Sequence, residues 1–225
     1  LTLAELKQFD AGAWKGPEFA GERIPTLGEC LDYAKYKIGV YIEIKDCDDD
    51  SELFAQVLQR AEGLEKADKD FYRDLIAMAE QDGTQNLVLA RKVIDLVRKK
   101  VMRRHVTIQS FSPLVCGFVR AEAPELRVEL LAHVDEKSHL TWEQCERLAH
   151  LMRVHGFNPN YKALTEARLS ALQESGLTVS PYTVNELEDM KRVVAWGVDG
   201  IISDKPDLAL TQSKSVNRAG GPKKP

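Results

Sequence analysis

The chain has 225 residues, with 31 Lys plus Arg against 35 Asp plus Glu and a formal net charge of −4, which excludes a nucleic-acid binder of the strongly basic kind. At 44% hydrophobic and 29% charged residues it is not a disordered polymer, and no apolar run approaches the roughly 18 residues of a membrane-spanning helix. Cys30, Cys47, Cys116 and Cys145 form no CxxC pair and, with five scattered histidines, give no zinc-ligand spacing; they read as reduced thiols, half of them buried.

In chain order, Thr26 with Glu29 is a capping-box pattern that opens a helix. Residues 40–45 (VYIEIK) follow as a short β-branched strand whose alternation places Glu43 and Lys45 on one face. The next connection, 46–104, is oversized for one crossover helix. Its apolar spacing predicts three helices, around Leu53, Val57, Leu58 and Ala61, around Phe71, Leu75, Ile76 and Ala79, and around Leu89, Val93, Ile94, Leu96 and Val97, with Asp82-Gly83 breaking the last two apart. The acidic run Asp46, Asp48, Asp49, Asp50 and Glu52 lacks the glycine and bidentate Glu of a calcium loop and reads as a solvated loop before a helix N-terminus. Arg98, Lys99, Lys100, Arg103 and Arg104 read as an anion patch or as cations at a helix C-terminus. Further strands are expected at 106–110, 126–131, 156–158, 178–184 and 200–203. Thr141 with Gln144 and Asn185 with Glu188 open helices, and Gly156, Gly176 and Gly197 suit C-caps at positive φ.

Residues 211–225 carry Lys214, Arg218, Lys223 and Lys224 and no acid, and they read as a disordered basic tail; without them, 27 bases face 35 acids, a charge of −8 on 1–210. Strand, helix, strand repeated this often means an α/β fold with parallel pairing, either a (β/α)8 barrel or a doubly wound sheet. No Gly-rich phosphate loop follows a strand, which argues against a nucleotide-binding sheet. Six strands are two βα units short of a closed barrel.

In a parallel barrel, chemistry sits at the C-terminal ends of the strands. That selects Glu43 and Lys45, then Gln109, Ser110 and Phe111, then His133, Asn158, and Tyr182 through Asn185. A carboxylate and an ammonium two residues apart either share a charged ligand, with a divalent cation on Glu43 and a phosphate oxygen on Lys45, or form an ion pair inside the barrel. His133 has no partner that the sequence identifies. His105, His139, His150 and His155 read as surface or core fillers.

The opening LTLAELKQFDAGAWKGPEFAGERIPTLGECLDYAK, VYIEIK, IQSFSP, FNPNYKAL, VSPYTVNELEDM and GVDGIISDKPDL resemble, in order, the glycerophosphodiester phosphodiesterases, over 1–210 apart from much of 46–104. The resemblance implies a (β/α)8 barrel that hydrolyses glycerophosphodiesters to glycerol 3-phosphate and an alcohol with a divalent metal, Mg²⁺ or Ca²⁺. It implies that Glu43 is a metal ligand, that Lys45 is a catalytic group near the phosphate, and that Gln109, Phe111 and Tyr182 are substrate-binding, with Tyr182 standing where the family usually has Trp. The family's His-Arg-Gly, Glu-x-Asp and His-Asp motifs do not occur in this sequence. The expectation is therefore strands 3 to 8 of the barrel over 1–210, with the insertion at 46–104, and catalytic histidines upstream of Leu1. The small-molecule substrate implies no nucleic-acid partner. Two alternatives are an inactive partial barrel that binds a partner and a related barrel phosphodiesterase acting on inositol lipids or lysophospholipids. Compartment and oligomeric state are not legible in the sequence.

Overall fold

The computed structural model describes residues 1–45, 48–134 and 140–218, the last six of these as backbone only. Four strands, β1 (Val40–Glu43), β2 (Val106–Ser110), β3 (Arg127–Ala132) and β4 (Gly156–Pro159), form one parallel sheet in the order β1-β2-β3-β4. Helices α1 (Leu3–Leu6), α2 (Leu27–Ala34), α3 (Ser51–Arg60), α4 (Lys69–Asp82), α5 (Gln85–Lys99), α6 (Pro113–Glu122), α7 (Trp142–Leu151), α8 (Glu166–Glu174), α9 (Leu187–Trp196) and α10 (Pro206–Arg218) surround it.

The four observed strands fall within two residues of four of the six expected segments. The other two form no strand among the described residues. Residues 178–184 meet β4 through single parallel bridges, Gly156 to Thr178 and Asn160 to Tyr182. Tyr182 N–H donates to the Pro159 carbonyl at 3.0 Å, and Val184 N–H donates to that of Ile202 at 2.9 Å. Between the two bridges to β4, Ser180 N–H goes to the Asn158 side chain and Pro159 has no N–H to give, and on the edge facing 200–203 Pro181 has none, so no regular ladder runs through this segment. Six chain segments thus follow one another edge to edge, and the first four of them form regular strands.

Period-2 alternation gives the strands two unlike faces. Ile42, Ile108 and Val128 form one row, and Ser110, Leu130 and Phe157 the next, all in register and packed against helices. Trp142 of α7 meets Phe157 edge to face at 5.2 Å between ring centres. The opposite face carries Tyr41, Thr107 and Arg127, then Glu43, Gln109 and Glu129.

The long connection does form three helices at the expected places, with Leu53 and Val57, Phe71, Leu75 and Ala79, and Val93, Ile94 and Val97 buried. Helices α4 and α5 pack on α6, which is buried from Pro113 through Val119 because it lies between them and the sheet. The run Asp48 to Asp50 is tied to the start of α5. Asn86, wholly buried at the start of α5, donates to the Asp48 carbonyl at 3.0 Å and to Asp50 Oδ2 at 2.9 Å, while Asp48 Oδ2 accepts from Gln85 N–H at 3.0 Å. Asp46 and Cys47 lie outside the described residues.

Thr26 with Glu29 and Thr141 with Gln144 form capping boxes as expected. Asn185 with Glu188 does not. Asn185 is turned to Asp204 and Ser203 instead, and α9 begins after Glu186 without a side-chain cap. Gly176 and Gly197 take positive φ, but Gly156 is a strand residue. A Cβ there would stand 2.6 Å from Thr178 Oγ1 and 2.9 Å from Glu129 Cδ, so its role is close approach, and Arg153 makes the left-handed turn. Helix α10 crosses residue 210, where the sequence places the start of the tail; 219–225 lie outside the described residues.

Candidate active site at the strand ends

Glu43 closes β1 and Lys45 follows two residues on, which puts both side chains at the C-terminal end of the strand. Lys45 Nζ donates to Glu43 Oε1 at 2.6 Å. The two side chains pair, but not as a buried ion pair, since the Lys45 side chain is 79% exposed and that of Glu43 28%. An ammonium this accessible is free to exchange its carboxylate for another anion at little desolvation cost.

Gln109 lies opposite Glu43 in the β1–β2 register, and Glu129 opposite Gln109 in the β2–β3 register. Glu129 is 1% exposed and is the one charged side chain among the described residues buried to that degree. Its burial is compensated: Arg127 Nε donates at 2.7 Å, Asn158 Nδ2 at 2.7 Å and Tyr41 Oη at 3.3 Å. Burial, and after it the Glu129 charge, raises the Tyr41 phenol above its ordinary pKa, which keeps it a donor. Asn158 also reaches Gln109 Oε1 at 3.5 Å, and its Oδ1 accepts from Ser180 N–H at 2.9 Å.

Phe111 and Tyr182 meet edge to face, with ring centres 5.5 Å apart and planes at 88°. Tyr182 Oη donates to the Ala132 carbonyl at 3.0 Å and lies 3.5 Å from His133 Nδ1. The structure therefore brings the five expected residues into two groups at the same strand ends: Glu43, Lys45 and Gln109 on one side, Phe111 and Tyr182 on the other.

Sequence reasoning missed Glu129, Arg127 and Tyr41. RVELLA reads as an apolar core strand, and only its register sets Glu129 beside Gln109; two charged residues two apart in such a strand are the available signal. A cavity of about 500 Å³, lined by Tyr41, Arg103, Arg104, His105 and Arg127 among others, opens at the N-terminal ends of β1 to β3, opposite Glu43 and Lys45. Two of the five basic residues of the 98–104 cluster thus face that cavity, while Arg98 pairs with Glu125 and Lys100 with Asp32.

A Mg²⁺ or Ca²⁺ ion takes roughly six oxygen ligands. Among the described residues no group of three or more His, Cys, Asp or Glu side chains converges, and Glu43 already binds Lys45. These residues alone do not make up a metal site.

Fold and site together define a parallel α/β protein with one sheet face under helices and the other lined with polar side chains that open at the strand ends. The profile of the glycerophosphoryl diester phosphodiesterase family matches residues 1–208, and the chain belongs to that family. It is 28% identical over 215 residues to a glycerophosphodiester phosphodiesterase of Bacillus subtilis (strain 168), covering 92% of this chain and 62% of that protein. It is 29% identical over 225 residues to one of Caldanaerobacter subterraneus subsp. tengcongensis, covering 98% and 73%. Among solved structures, a glycerophosphodiester phosphodiesterase of Parabacteroides distasonis shares the fold at a TM-score of 0.65 and 21% identity, covering 97% of this chain and 72% of that one. An Oleispira antarctica phosphodiesterase in complex with the product sn-glycerol-3-phosphate does so at 0.59 and 23%, covering 96% and 70%. The chain thus spans about three fifths to three quarters of the length of these proteins.

Proposed function

We propose that this chain is part of a glycerophosphodiester phosphodiesterase that releases glycerol 3-phosphate and an alcohol. The observation that carries the reading is the Glu43–Lys45 pair with Gln109 in register beside it, at the strand ends of a chain in this family. The curated relatives from Bacillus and Caldanaerobacter bear that activity in their names, and the Oleispira enzyme was captured with glycerol 3-phosphate.

In this reading Lys45 turns from Glu43 to a non-bridging phosphate oxygen and stabilises the charge that grows there as phosphorus becomes five-coordinate. Gln109 donates to the phosphate or the glycerol, and Phe111 with Tyr182 forms a wall against the alcohol. A divalent metal, Mg²⁺ or Ca²⁺, belongs to the reading with Glu43 as a single ligand, the other ligands and the acid–base histidines coming from outside this sequence, which lacks their motifs. The arrangement then corresponds to strands 3 to 8 of a (β/α)8 barrel over residues 1–210, with the 46–104 helices inserted, and to a small-molecule substrate with no nucleic-acid partner.

The test is release of glycerol 3-phosphate from glycerophosphocholine by the protein as its native source produces it. Glu43→Gln is expected to lower turnover at least 100-fold, and Lys45→Ala by a similar factor. Full activity in either variant would overturn that residue's role. A second reading, an inactive partial barrel that binds a partner, draws on the exposed apolar side chains Trp14, Tyr33, Tyr36 and Ile38. It requires the native protein to be inactive in the same assay.

A further inference from the structure

The buried polar row behind Gln109 has a direction. Glu129 pairs with Arg127 at 2.7 Å, and a carboxylate so paired offers only acceptors, so Asn158 must present its NH₂ to Glu129 Oε2, at 2.7 Å. The Ser180 N–H, which donates to Asn158 Oδ1 at 2.9 Å, fixes the same orientation from the other side. The Asn158 NH₂ then has one hydrogen left, and it meets Gln109 at Oε1, at 3.5 Å. Gln109 is thereby held with its carbonyl inward and its NH₂ outward. Its Nε2 has no hydrogen-bond partner among the described residues, yet it is not sealed in, because the buried polar side-chain atoms without a partner are Thr84 Oγ1 and Arg120 Nε. Gly156 makes the arrangement possible, since a Cβ at that position would collide with Glu129 and Thr178.

We propose that Glu129, acting through Asn158, is a positioning residue that fixes the Gln109 amide with its NH₂ turned to the strand-end site, as a standing donor for an anionic oxygen of the substrate. This rests on Gln109 being a ligand contact. Burying a carboxylate is costly unless every lone pair is used, and a volume-matched apolar side chain would fill the space as well. What the charge adds is polarity: it breaks the near-symmetry of two consecutive amides that would otherwise sit either way round. In Glu129→Gln, one side chain must serve both Arg127 and Asn158 with a single oxygen, so one of those contacts is lost and the Gln109 amide is released to turn.

The experiment is side-chain amide NMR on the protein, with sn-glycerol-3-phosphate as the probe. In the unaltered protein the Asn158 amide protons are expected to exchange slowly, and those of Gln109 quickly, shifting when the probe is added. Glu129→Gln is expected to move the Gln109 resonances and weaken probe binding about tenfold, and to have no further effect in a Gln109→Ala background. Slowly exchanging Gln109 amide protons in the unaltered protein would overturn the proposal, as would additive losses in the double variant. If the amide pattern is as described but the probe leaves Gln109 unmoved, the orientation stands and the reading of Gln109 as a substrate contact falls. Should Glu129→Gln fail to fold, the exchange pattern of the unaltered protein alone decides.

Discussion

The two faces of β1 to β4 are made by alternate residues of the same strands, yet they obey different rules. On the helix-packed face, Ile42, Ile108, Val128, Leu130 and Phe157 are interchangeable in kind, since any well-fitting apolar side chain removes water from the sheet. On the other face a chain of specific hydrogen bonds runs from Tyr41 and Arg127 through Glu129 to Asn158 and Ser180, and it leaves the Gln109 NH₂ for the site. Stability is spread over the first face, while orientation is concentrated in the second.

Four changes sharpen or break this contrast. The largest expected effect is on the packed face. Phe157→Ala removes a fully buried ring and its contact with Trp142, and should cost about 3–5 kcal/mol in a denaturant titration. Next comes Glu129→Ala, which strips Arg127 and Asn158 of their shared acceptor and should cost about 1–3 kcal/mol. If it cost as much as Phe157→Ala, the polar face would be a stability element and the contrast would fail. Thr141→Ala belongs to neither face; it removes the capping box of α7 and should cost about 1 kcal/mol with probe binding unchanged.

The smallest effect is a pH slope. Burial, aided by Arg120, holds the His155 imidazole below its ordinary pKa, and Nδ1 accepts from Val128 N–H at 3.0 Å in the neutral form. As pH falls, the unfolded chain takes up this proton first, near the ordinary value of about 6.5. More protons are then bound unfolded than folded, so stability rises with pH from the folded value up to about 6.5 and is level above it. His155→Gln keeps an acceptor for Val128 and should flatten that acid limb in unfolding midpoints measured from pH 5 to 7.5. An unchanged slope would place the titrating group elsewhere.

The strands with β-branched alternation were legible in the sequence, because period 2 survives whatever packs on it, and so were the three helices of 46–104. The sequence does not reveal that residues 178–184 and 200–203 bond only at isolated points: the apolar pattern is right, but Ser180 N–H is taken by the Asn158 side chain, and Pro159 and Pro181 supply no donor. Gly156 follows a helix and so suits a cap, whereas the structure uses it for the space that its missing Cβ leaves beside Glu129. At the site, strand-end position and family resemblance pick out Glu43, Lys45, Gln109, Phe111 and Tyr182. Glu129 escapes both, since its place beside Gln109 is a matter of cross-strand register and not of local sequence.

The bonds from Asn86 to Asp48 and Asp50 tie residues 48–50 to the start of a helix some forty positions further along the chain. The 46–104 region is therefore not a detachable ornament. A designer who deleted α3 to α5 to shorten the protein would cut this tether, whereas extra residues grafted into the turn at Gly83, where no side chain is crowded, would leave it in place.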